Sequence, residues 1–266
     1  MRQLQVKKHF PKRLKTRCSL EPMSNEAILI IGANSGIANA LIKNFLCSDS
    51  VRKIFAVSRS LPKTQFSGNT KKIEWLLSDY TESSIEQIVA GLMEREINLN
   101  KVIICNGVLH DSTISPEKRV EDIKLLNLET VMRINAFLPM LWVKNLKTLL
   151  RKSGNCSITA FTARIGSIQD NAKGGWYAYR ASKAALNMLM KTASIEYRRE
   201  SAKISFLLFH PGTTDTALSQ PFQKRIASTS IFKPDLVADK LITILNNVSY
   251  DAEIKFLDWK GKRIAW

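Results

Sequence analysis

The sequence predicts an α/β fold, a single doubly wound parallel sheet with helices on both faces. Three observations carry that reading. Short apolar runs lack polar alternation, as strands buried on both faces require. Amphipathic helical stretches separate those runs. Turns bearing glycine or small polar residues follow several of the runs, at the strand ends where an open α/β sheet holds its ligand. The 266 residues are 45% hydrophobic and 24% charged, a composition that suits one soluble domain with a sizeable core. The longest apolar run, from Ala136 to Val143, is too short to span a bilayer and contains Pro139.

Residues 1–23 stand apart. They carry seven basic residues against Glu21 alone, +6 of the total +17, and have no clean helical or strand period. They read as a basic, disordered N-terminal arm ahead of a single domain over 24–266. No apolar core for a secretory signal is present. Two other readings stay open: a transit-like peptide, or a start at Met23 just before the first strand. The remaining positive charge is spread along the chain, which fits a site for an anionic cofactor better than a nucleic-acid surface.

The elements follow in order. Ala27 to Ile31 is the first strand. It ends in Gly32-Ala33-Asn34-Ser35-Gly36-Ile37-Ala38, and a helix follows with Leu41, Ile42, Phe45 and Leu46 on one side. Strand, glycine turn and helix N-terminus together present backbone N–H groups to a phosphate. The GxxxGxA spacing departs from the usual GxGxxG fingerprint. Lys53 to Val57 is the second strand. Where a cofactor lacking a 2′-phosphate calls for an acidic residue, the chain has Arg59, whose guanidinium suits that phosphate. Ile73 to Leu77 is the third strand, followed by Ser78-Asp79 and a helix over 82–96. Val102 to Cys105 is the fourth, ending in Asn106-Gly107.

Residues 110–122 read as a loop. Two helical stretches then reach Lys152, with Asn135 and Pro139 near their junction. Ser157 to Phe161 is the fifth strand, and a long helix covers about 177–199. Ile204 to Phe209 is the sixth strand, ending His210-Pro211-Gly212-Thr213. Residues 217–232 lack periodicity and read as a mobile lid. A helix over 234–247 and a strand over 253–257 close the chain. The four cysteines show no CxxC, and with only three histidines no metal site is expected. Cys47, Cys105 and Cys156 read as buried thiols in a reducing compartment.

The chemistry concentrates at Tyr179 and Lys183. Four residues apart on a helix, they share one face. An ammonium beside a phenol favours the phenolate and lowers its pKa from ~10 toward neutrality, so that Tyr179 can serve as an acid to a carbonyl oxygen. Tyr177 has Ala181 four residues on and is not selected.

Taken together, GxxxGIA, the strand-end Arg, Ser-Asp, Asn-Gly, the helical Asn, YxxxK and Pro-Gly-x-x-x-Thr resemble the short-chain dehydrogenase/reductase family, with its Rossmann-type sheet. The likeness covers about residues 25–260. Gly-Gly-Trp-Tyr-Ala-Tyr-Arg-Ala-Ser-Lys and the terminal Asp-Trp-Lys-Gly are closer still to its C-factor/carbonyl-reductase-like branch. The resemblance implies that Gly32, Asn34, Ser35, Gly36 and Ile37 form the pyrophosphate loop. It implies Arg59 on the 2′-phosphate, Asp79 with Tyr80 at the adenine, and Asn106 and Gly107 along the ribose. Pro211, Gly212 and Thr213 would flank the nicotinamide, with Thr216 near the phosphates. Tyr179 would be the acid/base, with Lys183 lowering its pKa and binding the ribose, and Asn135 would hold a relay water.

The resemblance implies NADP as cofactor, with NAD second, and pro-S hydride transfer to a small-molecule ketone or aldehyde. It also implies a homodimer or homotetramer through the helices near 123–152 and 177–199, a cytoplasmic location, and no membrane span or specific nucleic-acid partner. One departure stands out. Ala163 occupies the family's catalytic serine position; Ser167 is the preferred substitute, and no substitute at all is the alternative. That gap motivates a second function, an NADP(H)-binding regulatory or signalling protein with little turnover. A nucleic-acid binder is a third reading, carried by charge alone.

Overall fold

The structure is a computed structural model that describes residues 25–62, 64–200, 203–247, 249–250 and 253–266. The basic arm and Cys18 therefore lie outside the described residues. The sheet strands are β1 (Glu26–Ile31), β2 (Val51–Ser58), β3 (Ile73–Leu77), β4 (Lys101–Ile104), β5 (Cys156–Phe161), β6 (Ile204–His210) and β9 (Lys255–Asp258). They form one seven-stranded sheet in the order β3-β2-β1-β4-β5-β6-β9, with every neighbouring pair parallel. The chain reverses direction across the sheet between β1 and β4, the switch point at which an α/β sheet opens a crevice.

Alternate side chains of each strand feed two cores. Leu29, Ile31, Phe55, Val57 and Ile104 pack under α2 (Glu82–Glu94), α4 (Leu138–Lys152) and α5 (Tyr177–Glu200). Ile28, Ile30, Ile54, Ala56 and Ile103 face α1 (Gly36–Leu46) and α6 (Pro234–Leu245). This double burial is why the strands read as unbroken apolar runs.

Three local expectations change. The helical stretches before β5 are not broken at Pro139. From α3 (Leu125–Met132) the chain passes through a π-helical turn, Arg133–Phe137, straight into α4. Pro139 follows the π-helical turn directly, and the wider turn accommodates a residue that has no N–H to donate. The segment expected as a lid carries short elements: Thr213–Thr214 (β7) pairs with Ile231–Phe232 (β8), and two 3₁₀ turns, Gln220–Arg225 and Ser228–Ser230, lie between them. Its lack of a period reflects these short turns. Cys47 is exposed at the C-cap of α1, whereas Cys105 is partly buried and Cys156 buried.

Leu146 on α4 is fully buried in the first core. Leu146→Ala is expected to lower unfolding free energy by about 2–5 kcal/mol, read from the urea midpoint, without altering the far-ultraviolet spectrum.

Candidate active site

A cavity of about 960 Å³ opens at the carboxyl ends of β1, β4, β5 and β6. One end of it is built by the β1–α1 turn. Gly32 adopts φ +79°, and a Cβ there would sit 3.0 Å from the Asn106 backbone nitrogen, so the two strand exits touch. Ser35 caps α1, its Oγ accepting from the Ala38 N–H at 3.2 Å. Asn34 Nδ2 donates to the Ser60 carbonyl at 2.9 Å and ties the turn to the exit of β2. The first turn of α1 holds no acidic side chain, leaving its positive end uncompensated. Beside it, Asn106 Oδ1 is buried with no partner among the described residues. An exposed helix N-terminus and an orphaned acceptor next to it fit the pyrophosphate and ribose of a dinucleotide. Gly36, Ile37, Gly107, Pro211, Gly212 and Thr213 also line the cavity, and Thr216 packs its methyl over Gly36.

The residues expected at the adenosine end lie outside the cavity lining, on the exits of β2 and β3. Arg59 is exposed. Asp79 is exposed too, and its carboxylate accepts from the Thr81 N–H at 2.9 Å and hydroxyl at 2.8 Å. These bonds hold its pKa below the ordinary value. Tyr80 adopts φ +65° and donates to the Val57 carbonyl at 3.2 Å, which bends the chain over the end of β2.

The other end of the cavity holds Tyr179 and Lys183 in the first turns of α5. Three residues with positive φ lead in: Gly174, Gly175 and Trp176. The buried Glu117 holds this turn, its carboxylate accepting from the Ala178 N–H at 3.2 Å at the positive end of the helix. Lys183 Nζ donates to the Phe161 carbonyl at 2.8 Å and lies 5.7 Å from the centre of the Tyr179 ring. Gly166 lets the chain after β5 press on α5, since a Cβ there would lie 2.8 Å from the Lys183 backbone carbon.

The expected electrostatics are reversed. Burial pushes the Tyr179 phenol well above its usual value, and burial lowers Lys183 to about 8. Desolvation disfavours the charged form of both groups. Tyr179 is therefore a protonated phenol, able to give a proton but reluctant to hold a negative charge.

Asn135 sits in the π-helical turn, fully buried. Its Oδ1 accepts from the Val108 N–H at 2.7 Å, and its Nδ2 donates to the Val108 carbonyl and to Ser182 Oγ. Asn135 does not line the cavity itself, but Gly107 lies between its amide and Lys183 Nζ. Ser167 is a correction. It lies outside the cavity lining, its Oγ donating to the Trp266 carbonyl at 3.3 Å and accepting from the Asp170 N–H at 3.1 Å. The loop after β5 folds as a 3₁₀ turn, Arg164–Gly166, which turns Ser167 away. Thr162 Oγ1 is spent on Asn187 Oδ1 at 2.7 Å. Sequence reasoning assigned no role to His210, Arg164, Trp176 or Phe222, all of which line the cavity. His210 had a signal in its place before Pro-Gly at a strand end; Phe222 had none.

The short chain dehydrogenase family model matches residues 26–227. The chain belongs to this oxidoreductase family. A relative in Rhodococcus sp. (strain AD45), 1-hydroxy-2-glutathionyl-2-methyl-3-butene dehydrogenase, is 25% identical over 90% of this chain and 99% of its own. C-signal of Myxococcus xanthus is 28% identical over 54% of this chain and 82% of its own, which places the family likeness near the C-factor branch. Among solved structures, NADPH-bound carbonyl reductase from chicken fatty liver superposes with a TM-score of 0.77 at 25% identity, covering 91% of this chain and 94% of that one.

Burying Lys183 works against the fold at neutral pH. Its folded pKa lies below the unfolded one, so the penalty is full below about pH 8 and fades as pH rises toward the unfolded value near 10.5. Lys183→Met removes that penalty but leaves the Phe161 carbonyl without its donor, so the stability of the variant relative to wild type is expected to be greatest at pH 7 and to fall between pH 8 and 10.5. Urea titrations across that range measure it.

Proposed function

We propose that this protein is an NADP-dependent reductase of ketones or aldehydes. The observation that carries the reading is the buried Tyr179–Lys183 pair at one end of a cavity whose other end is the bare N-terminus of α1. NADPH, when bound, supplies the hydride. Gly32, Ser35, Gly36 and Ile37 would hold its pyrophosphate, Asn106 and Gly107 its ribose, and Pro211, Gly212 and Thr213 the nicotinamide end. Arg59 would hold the 2′-phosphate, with Asp79 and Tyr80 bounding the adenine.

Tyr179 then gives its phenolic proton to the carbonyl oxygen as negative charge develops there. A phenol held protonated suits reduction better than the reverse oxidation, which must begin from phenolate. Lys183, half-neutralised near pH 8, holds the ribose and refills the proton, and Asn135 orders its surroundings. Leu218, Phe222 and Ile226 add an apolar wall to the cavity, which would favour an apolar substituent on the substrate. Trp176 meets Phe222 at 4.9 Å between ring centres and Tyr179 at 6.3 Å, an aromatic wall suited to a bulky carbonyl compound. Self-association through α4 and α5, the latter leaving Met188 and Ile195 exposed, belongs to the same proposal.

A second reading, a cofactor-binding regulatory protein, is favoured by the methyl of Ala163 where a hydroxyl would help hold the substrate oxygen. A panel of ketones, quinones and diketones with NADPH separates the two. Tyr179→Phe is expected to lower kcat at least about 100-fold with NADPH affinity retained. Equal turnover by variant and wild type would sink the mechanism, and tight NADPH binding with no turnover would favour the second reading. Arg59→Ala is expected to raise the Kd for NADPH about 10- to 100-fold and leave that for NADH nearly unchanged, as isothermal calorimetry would register.

A further inference from the structure

We propose that His210 is a second donor to the substrate's carbonyl oxygen, presenting an Nε2–H to the cavity opposite Tyr179. The inference rests on the reductase reading and deepens it.

Placement comes first. β5 and β6 are in register at Phe161 and Phe209, and the Thr162 N–H donates to the Phe209 carbonyl at 3.0 Å. His210 is therefore Thr162's neighbour on the sheet. Ala160 and Leu208, two residues earlier on each strand, pack in the core beneath α5, so alternation turns Thr162 and His210 toward that same helix. Thr162 reaches Asn187 on α5 accordingly. His210 lines the cavity together with Tyr179.

The two ring nitrogens are unlike. Nδ1 is buried with no partner, whereas Nε2 is not among the buried, unpartnered atoms and makes no hydrogen bond within the described residues. Burial, with Arg164 nearby, lowers the imidazole pKa to about 4, so the ring is neutral and carries one proton. A sealed N–H without an acceptor is the rarer and costlier orphan. The proton therefore belongs on Nε2, on the cavity side. Arg164 is itself anchored, 3.3 Å from Asp170 and 3.5 Å from Asp258, the residue paired with His210 across β6 and β9.

The chemistry asks for such a donor. Hydride arrival puts charge on the carbonyl oxygen, and a preorganised donor beside the proton source stabilises it. No free hydroxyl is available on the exit of β5: residue 163 is alanine, Thr162 is committed to Asn187, and Ser167 is turned away. His210 keeps its proton throughout. The hydride goes to the carbonyl carbon and the Tyr179 proton to the oxygen.

Two measurements test this. The sequence has three histidines, so nitrogen-15 NMR of histidine-labelled protein, compared with His210→Gln, assigns the ring of residue 210. A neutral Nε2–H tautomer that shifts when benzil is added to the NADP⁺-loaded protein is expected. An Nδ1–H tautomer, or an Nε2 signal indifferent to benzil, would overturn the proposal. In turnover of benzil, His210→Phe is expected to lower kcat about 10- to 100-fold while the KM for NADPH stays within about twofold. His210→Gln, which keeps an N–H donor, should recover part of the loss. A kcat for His210→Phe equal to wild type would also overturn it. If the wild type reduces no carbonyl at all, the reductase reading falls, and the tautomer still decides the placement of this proton.

Discussion

The hydrogen bond from Lys183 Nζ to the Phe161 carbonyl is the constraint on which the rest depends. It fastens the first turns of α5 to the end of β5, and it buries a cation to do so. A buried ammonium is tolerated only where carbonyls replace its water. Several features of the chain serve that contact. Gly166 allows the loop after β5 to lie against the Lys183 backbone. Glu117 caps the helix that carries the lysine. The π-helical turn at 133–137 puts Asn135 under Val108 and Ser182, closing the side of the same pocket. Wide turns of this kind cost backbone regularity and recur where a side chain must be aimed.

From this anchor the cavity acquires its polarity. Burial that lowers Lys183 also raises Tyr179, and the same burial keeps His210 neutral. In the proposed reaction this end would offer proton donors to the substrate, with the charged side chains of Arg164, Lys173 and Arg180 also in the cavity lining. At the phosphate end, the α1 N-terminus and the exposed Arg59 offer positive potential at the surface, where solvation of an incoming anion can be exchanged for backbone N–H groups.

The sheet was readable from sequence because both its faces are covered. Ile28 to Ile31 feed alternate cores, so every residue of the run had to be apolar. The glycine turn and the Tyr179–Lys183 spacing were readable because backbone clearance and helix geometry restrict residue type at short range. Ser167 failed for the opposite reason. Whether a loop hydroxyl curls into a site depends on its tertiary partners, and the Trp266 carbonyl, 99 residues away, takes this one. The tyrosine pKa failed similarly. Spacing predicts proximity, but depth decides whether attraction or desolvation prevails. The segment 217–232 hid its order because short 3₁₀ turns have no period to detect.

His210 was passed over because its value lies in a register, not a motif. Its neighbour Pro211 has no N–H to donate and fixes its own φ, so the strand ladder ends there. A side chain at such an exit has the sheet behind it and the crevice in front, which produces one sealed nitrogen and one facing the cavity. Ala163, just past the end of β5, lines the same cavity and offers no hydroxyl. A serine on β5 and a histidine on β6 approach the same oxygen from adjacent strand ends. Exchange of one for the other would keep a donor in the site while changing its reach. The imidazole is larger and cannot rotate its proton as a hydroxyl does, so the substrate oxygen must come to it. In the proposed reaction a fixed donor on one side and the Tyr179 phenol on the other would constrain the carbonyl plane, and the Trp176–Phe222 wall would limit which substituents fit on either side of it. Selectivity in this cavity is therefore expected to follow the shape of the ketone more than its charge.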